Sequence, residues 1–254
     1  MKNNIFIAGG VGLVGANLAM LHYQKKINFT ASYYHTKPPK ILKKNYKKFN
    51  FLNFKDCLKS TKGKNIVYIC AVRGANVKGM KNDPMKNTNE NLIMRINLLR
   101  ACCINKVKKI IWVSSSTLYQ KYNKPIKEND LDLNKSPHDI YRITGSIYRY
   151  IESLIEYFRV IHKMNISVIR TTSIYGPFDN FDPKFSHVVP GLIKKFLTSK
   201  KVIVWGDKNV VRDFVYVKDL TRIMLEASSF KKGLTFNYSY GAGVSIKELV
   251  LLLK

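Results

Sequence analysis

The chain has 254 residues, 46% of them hydrophobic, with 44 lysines and arginines against 16 aspartates and glutamates and a formal net charge of +28. That length and apolar share fit one large domain with a packed core and exclude a disordered or fibrous chain. No apolar run approaches the ~20 residues of a membrane span, and Met1-Lys2-Asn3-Asn4 is too short and polar for a secretory leader, so a cytoplasmic location is expected.

The first element is the apolar run Ile5-Phe6-Ile7-Ala8, which reads as a buried strand. It feeds into Gly9-Gly10-Val11-Gly12-Leu13-Val14-Gly15 and then into the helix-like Ala16-Asn17-Leu18-Ala19-Met20-Leu21. The glycines can be paired as Gly10-x-Gly12-x-x-Gly15 or as Gly9-x-x-Gly12-x-x-Gly15. Strand, glycine turn and helix in that order place backbone N–H groups and a positive helix end against a dinucleotide pyrophosphate. The competing reading is a flexible turn before a surface helix, and the flanking elements argue against it.

Further along, strands are expected at 28–34, 65–70, 109–113 and 166–170. Asp83 and Pro84 mark a helix start running to about Asn105, and Ser136-Pro137-His138-Asp139 marks another running towards His162. Alternating strands and helices predict an α/β fold, a Rossmann-like doubly wound parallel sheet over residues 1–172. After Tyr175-Gly176-Pro177 loops lengthen. Short strands are expected at 202–205 and 213–217, and the box Ser245-x-x-Glu248 opens a last helix. Residues 173–254 read as a smaller substrate lobe, interleaved with the sheet.

The four cysteines form no CxxC pair and share no ligand spacing with histidine, so they read as thiols, and no metal site is expected. The lysines crowd 37–48 but are scattered over the whole length. A nucleic-acid surface is the sharp reading; a Lys/Asn bias giving a solvated, non-specifically cationic surface is the bland one and fits the scatter better.

Ser115 ends the fourth strand and Tyr141 opens the next helix region. Both fall at the sheet's carboxyl edge, where open α/β folds bind ligands. A serine and a tyrosine there can hold a carbonyl or alcohol oxygen beside a nicotinamide, the tyrosine acting as acid or base. With fifteen tyrosines in the chain, a serine-rich turn plus a packing tyrosine is an equal reading of those two residues alone. The second strand ends in Tyr34-His35-Thr36-Lys37, with no acid to hold ribose hydroxyls. His35 and Lys37 favour a 2′-phosphate, hence NADP(H) over NAD.

The segments Tyr175-Gly176-Pro177-Phe178-Asp179-Asn180, Ser186-His187-Val188-Val189-Pro190, Val204-Trp205-Gly206, Arg212-Asp213-Phe214 and Tyr216-Val217-Lys218-Asp219-Leu220 carry a family resemblance. The chain resembles the extended short-chain dehydrogenase/reductases of the nucleotide-sugar epimerase/dehydratase group, and within it the GDP-L-fucose synthases, over nearly its whole length. The resemblance implies NAD(P)-dependent hydride transfer at C4 of a nucleotide-diphosphate sugar, with C3/C5 epimerisation. It implies a pyrophosphate cradle at Gly9, Gly12 and Gly15, joined by Val11, Leu13 and Val14. Asn50 would meet the adenine, and Ala71 and Arg73 would pass beside the cofactor. Ser115 and Tyr141 would be catalytic, and His187 would be the acid of epimerisation. Thr117, Ser173, Lys195, Trp205 and Arg212 would hold the nucleotide-sugar, Arg212 through its diphosphate. It also implies a homodimer through a four-helix bundle of helices near 84–104 and 139–162. Ile147, Ile151, Leu154, Ile155 and Phe158 would supply either that seam or the monomer core.

Two positions depart from the family. The lysine expected one helical turn after the tyrosine, which grips the nicotinamide ribose and acidifies the phenol, is Gly145. Thr117 stands where the fucose synthases have a cysteine base, and a threonine hydroxyl is too weak an acid to replace it.

Overall fold

Strand β1 (Ile5–Ala8) is buried along its whole length. A strand with no solvent-facing side belongs in the middle of a sheet covered on both faces. It pairs in parallel with β2 (Phe29–Tyr33) on one side and with β4 (Ile66–Ile69) on the other. Outward from these lie β3 (Tyr46–Lys48), β5 (Lys109–Ser115), β6 (Ile166–Thr171) and β9 (Thr235–Tyr238), in the order β3-β2-β1-β4-β5-β6-β9, all parallel. The chain reverses direction across the sheet between β1 and β4, which opens a crevice at the carboxyl ends of those strands. The computed structural model describes residues 4–73, 85–122, 124–182, 186–200, 202–204 and 206–254. The leader residues 1–3, Gly74, Asp83, Pro84, Pro183 and Trp205 lie outside them.

Helices α1 (Leu13–Gln24) and α6 (Val217–Ala227) cover one face, where Leu18, Ala19, Leu220 and Met224 pack on Ile7, Tyr68 and Ile111. Helices α2 (Phe54–Thr61), α3 (Lys86–Ile104) and α4 (Arg142–Ile161) cover the other, where Cys57, Leu98, Cys102, Ile151 and Ile155 meet Phe6, Val67 and Trp112. Each such aliphatic side chain contributes about 1.5–3 kcal/mol by leaving water. A second sheet, β10-β8-β7, joins β7 (Ser173–Tyr175) in parallel and β10 (Gly243–Ser245) antiparallel to β8 (Val211–Tyr216). On it pack α5 (Val188–Thr198) and α7 (Ile246–Leu252) through Val189, Leu192 and Leu249. No helix of the described residues is long and apolar enough to cross a membrane.

Strands β1, β2, β4, β5 and β6 and the Ser245–Glu248 capping box stand where the sequence puts them, within a residue or two at each end. Two expectations need correction. The helix expected from 137 begins at Arg142. Before it, Asp139–Tyr141 form a 3₁₀ turn in which the His138 imidazole accepts the Ile140 N–H at 3.3 Å. Residues 202–204 form no strand; β8 already has β7 and β10 on its two sides, and the Ile203 carbonyl instead accepts a hydrogen bond from Lys195 Nζ at 2.8 Å. Of the two readings offered for Ile147, Ile151, Leu154, Ile155 and Phe158, the core one holds: Ile151 and Ile155 are fully buried and the other three pack on the same core, so they hold α4 to its own sheet. Strand β3 has no counterpart in the sequence reading: it lies inside the lysine-rich segment, where Lys47 and Lys48 face solvent along a sheet edge.

Candidate cofactor and active site

The glycine turn is built by three different constraints. Gly9 has φ +84°, and a Cβ on it would sit 2.6 Å from Ala71 Cα, so the turn passes directly over the end of β4. A Cβ on Gly15 would run into the Gly9 carbonyl oxygen, so its lack of a side chain sets how close α1 comes to the turn. Gly12 is the open one: a Cβ there would meet nothing nearer than the Gly9 carbonyl oxygen at 3.7 Å. It caps α1 with no side-chain acceptor and no acid in the first turn, leaving the first-turn amides around Leu13, Val14 and Gly15 without intrahelical partners. That is a cradle of N–H groups and positive dipole with room for an anion.

The turn is held from below. Gly9 N–H donates to Ser32 Oγ at 2.8 Å, and the Tyr46 hydroxyl donates to the Gly10 carbonyl at 2.8 Å. Asn17 of α1 donates to the Pro177 carbonyl at 2.7 Å, tying the cradle to the loop after β7. Ser32, Tyr46 and Asn17 escaped the sequence reading, because a serine within a strand, a tyrosine within a lysine run and an asparagine within a helix carry no local signal.

A cleft of about 310 Å³ opens beside the cradle. It brings together Gly9, Val11, Gly12, His35, Asn50, Ala71 and Arg73 of the expected cofactor set. Leu13, Val14, Gly15 and Lys37 do not line it; Lys37 is exposed beyond the end of β2. Asn50 Oδ1 already accepts the Leu52 N–H at 3.1 Å and keeps one lone pair for a ligand. Arg73 is clamped: its guanidinium pairs with Glu90, its N–H donates to Asn91 Oδ1 at 2.7 Å, and Asn91 Nδ2 returns a bond to its carbonyl at 3.0 Å. Glu90 also lines the cleft, a carboxylate the sequence did not single out. Burial pushes the Cys57 and Cys70 thiols up to about 12, so neither supplies a thiolate near neutral pH.

Ser115 closes β5, half-buried, and its Oγ accepts from Thr117 N at 3.2 Å and from Thr117 Oγ1 at 3.0 Å. Tyr141 ends the 3₁₀ turn that leads into α4, half-buried, its ring 6.1 Å from His138. The two therefore rise from adjacent elements at the carboxyl edge, since α4 packs on the 3₁₀ turn Ser116–Leu118. Gly145 explains how closely: a Cβ there would lie 2.6 Å from Pro137 Cβ and nearer still to the Thr117 carbonyl oxygen. The glycine is a packing contact, and the space a side chain needs is filled by the chain itself. Arg149, one turn further, binds elsewhere, donating to the Leu118 carbonyl at 2.6 Å and to the Lys135 carbonyl.

Behind Ser115 lies a buried polar network that the sequence did not reveal. Glu152 accepts from Ser114 Oγ at 2.5 Å and from Arg170 at 2.7 Å. Arg170 also donates to the Tyr119 hydroxyl at 2.7 Å, which donates to Asn237 Oδ1 at 2.7 Å. It fixes the ends of β5, β6 and β9 around the Ser116–Leu118 turn.

The small sheet supplies the remaining candidates. Ser173 lies half-buried on β7, Arg212 is exposed on β8, and Lys195 of α5 is held by the Ile203 carbonyl. His187 is exposed at the start of α5 and makes no capping bond, so its imidazole is not consumed by the helix. Nearby, burial holds the Asp179 carboxyl above the usual carboxylate range, with His187 pulling the other way, and its Oδ2 has no hydrogen-bond partner.

A family model described as NAD dependent epimerase/dehydratase family matches residues 5–238. Among curated proteins, the chain is 27% identical over 98% of its length, and 76% of the other's, to a probable GDP-L-fucose synthase of Oryza sativa. It is 28% identical over 61% of its length, and 50% of the other's, to the GDP-L-fucose synthase of Escherichia coli. Its fold matches UDP-glucose 4-epimerase of Thermotoga maritima with a TM-score of 0.85 at 24% identity, covering 99% of this chain and 81% of the other. With matched residues running from β1 through β9, the chain belongs to the NAD-dependent epimerase/dehydratase family.

Proposed function

We propose that this protein is an NAD(P)-dependent nucleotide-sugar epimerase/reductase of the GDP-L-fucose-synthase type, acting at C4 of a nucleotide-diphosphate sugar. The observation that carries this reading is the open Gly12 cradle leading into the cleft, joined at the same sheet edge by Ser115 and Tyr141. A bound nicotinamide coenzyme supplies or accepts the hydride. Ser115 holds the sugar oxygen and Tyr141 exchanges its proton. His187, free of capping duty, moves a proton at the neighbouring carbon where epimerisation accompanies the redox step. Thr117, Ser173, Lys195 and Arg212, with Trp205, hold the nucleotide-sugar from the lobe of residues 173–254. NADP(H) is the preferred coenzyme in this reading, because the end of β2 offers His35 and Lys37 and no carboxylate. The protein works in the cytoplasm as a homodimer through α3 and α4, which expose Ile93, Tyr150 and Tyr157.

Calorimetric titration with NADPH and NADH, followed by NADPH consumption with GDP-4-keto-6-deoxymannose, tests the reading. NADPH binding with turnover supports it; no heat with either coenzyme sinks it. Two observations favour neighbouring readings. Thr117 in the place of a cysteine base favours a 4-epimerase or dehydratase with tightly held NAD, which would purify with coenzyme and need none added. The packing of Gly145 against Thr117 favours a coenzyme-binding homologue without turnover, which would bind NADPH and reduce no 4-keto sugar.

A further inference from the structure

Charge is not spread evenly over this protein. Six connections return the chain to the amino-terminal ends of the parallel strands: loops 25–28, 62–65, 105–108, 162–165 and 228–234, and the 3₁₀ turn Lys40–Asn45, which Asn45 Nδ2 ties to the Phe29 carbonyl at the start of β2. In chain order they hold two, three, two, two, one and two lysines, twelve in all, and not one carboxylate. The opposite edge, around the candidate active site, mixes its lysines with Glu128, Asp130, Asp132, Asp139 and Asp179. A uniform lysine bias would not sort the acids to one edge.

Helix C-termini attract cations, and five helices end at this edge. At about −0.5 each, their dipoles supply only about −2.5 charges, far short of twelve lysines. The nearest carboxylates, Glu156 and Glu226, sit inside helices, and Glu156 is already paired with Arg159. No ion pair among the described residues uses any of the twelve lysines. Burial and the charge of Lys47 lower the Lys64 ammonium, and burial with Arg159 lowers Lys109, at the foot of β5, to about 8. Lys26, Lys106 and Lys163 also adopt positive φ (54°, 51° and 52°) just past their helices, where glycine or asparagine is at home.

The edge has a shape and an apolar component as well. Between loops 105–108 and 162–165 lies a cleft of about 440 Å³ walled in part by Lys106, Lys108, His162 and Lys163. Among the lysines stand Ile41, Ile104 and Leu234, each more than half exposed at 58%, 59% and 51%. Aliphatic side chains offer a nucleic-acid base no stacking surface, whereas lysines interspersed with them suit phosphate headgroups over acyl chains.

We propose that this amino-terminal edge of the sheet is a docking face for an anionic phospholipid surface, the cleft between loops 105–108 and 162–165 seating a headgroup phosphate. Docked this way, the protein turns its cofactor cleft, at the opposite edge, towards the aqueous phase. The proposal is independent of the reaction assigned to that cleft.

Co-sedimentation of the full chain with phosphatidylcholine vesicles, with and without about one-third phosphatidylserine, tests it. Binding is expected only with phosphatidylserine, weakening as salt rises. The variant Lys26→Asn/Lys106→Asn/Lys163→Asn keeps a residue suited to positive φ, so circular dichroism and melting should match the parent. Its binding should fall about 10²-fold. Lys121→Asn/Lys124→Asn/Lys135→Asn on the opposite edge should retain binding. Equal losses from both triple variants would reduce the effect to diffuse net charge and overturn the proposal. So would no vesicle binding, or retention on duplex DNA at physiological salt that vesicles fail to compete.

Discussion

Two glycines, Gly15 and Gly145, solve one mechanical problem at two helix starts, with opposite consequences for chemistry. Each lets a helix lean on a backbone carbonyl, that of Gly9 for α1 and that of Thr117 for α4. At α1 the contact leaves Gly12 and the first-turn amides open, so closeness makes room for the anion of the proposed cofactor. At α4 it fills the volume that the lysine implied by the resemblance would need. A glycine in a catalytic motif is therefore read wrongly as a simple deletion: it reports where backbone has moved in.

The comparison can be broken at several points. The largest effect should come from Tyr141→Phe, which separates the two helix starts. NADPH titration should be unchanged, while turnover of a 4-keto nucleotide-sugar drops about 10²–10⁴-fold. Loss of coenzyme binding instead would place Tyr141 at the wrong end of the site. Next, Glu152→Ala strands Arg170, which is 8% exposed, and should cost about 3–5 kcal/mol in urea unfolding. Gly15→Val and Gly145→Lys should each cost about 1–3 kcal/mol by overpacking, and they should differ in function. The first abolishes NADPH binding; the second leaves binding intact and does not raise turnover above the parent's. A Gly145→Lys protein with full stability and gained activity would refute the close packing of α4.

The smallest effect is a pH dependence on the α1 side. His22 is fully buried, its Nδ1 bonded to the Leu18 carbonyl at 2.8 Å, and burial lowers its pKa below the ordinary 6.5. Below that pH the unfolded chain takes up a proton that the folded one refuses, so stability falls as pH drops from 6.5 and is unaffected above it. Thermal melts from neutral to mildly acidic pH should show this slope, and His22→Leu should flatten it.

What the sequence disclosed follows from how local each signal is. The Ile5–Ala8 run and Gly9–Gly15 are contiguous and carry their own spacing, so β1, α1 and the cradle were legible. So was the Ser245–Glu248 box. The start of α4 was misplaced because Pro137 is a good first-turn residue for a helix, and here it instead packs against Gly145, a contact eight residues away. The Glu152–Arg170–Tyr119–Asn237 network joins four elements across more than a hundred residues, and no spacing rule reaches that far. Residues of the cleft arriving from other elements, Ser32 of β2 and Glu90 of α3 among them, were hidden for the same reason.

Strand β9 carries a consequence for how this protein is made. It seats on β6 through Val168↔Thr235 and its neighbours, yet the chain reaches it only after threading β7, α5, β8 and α6. A nascent chain on the ribosome thus holds one flank of β6 bare, its N–H and C=O groups unpaired, until residue 238 emerges. The two lobes are woven by that return stitch, and a protease cut between them would leave two fragments still clasping one another.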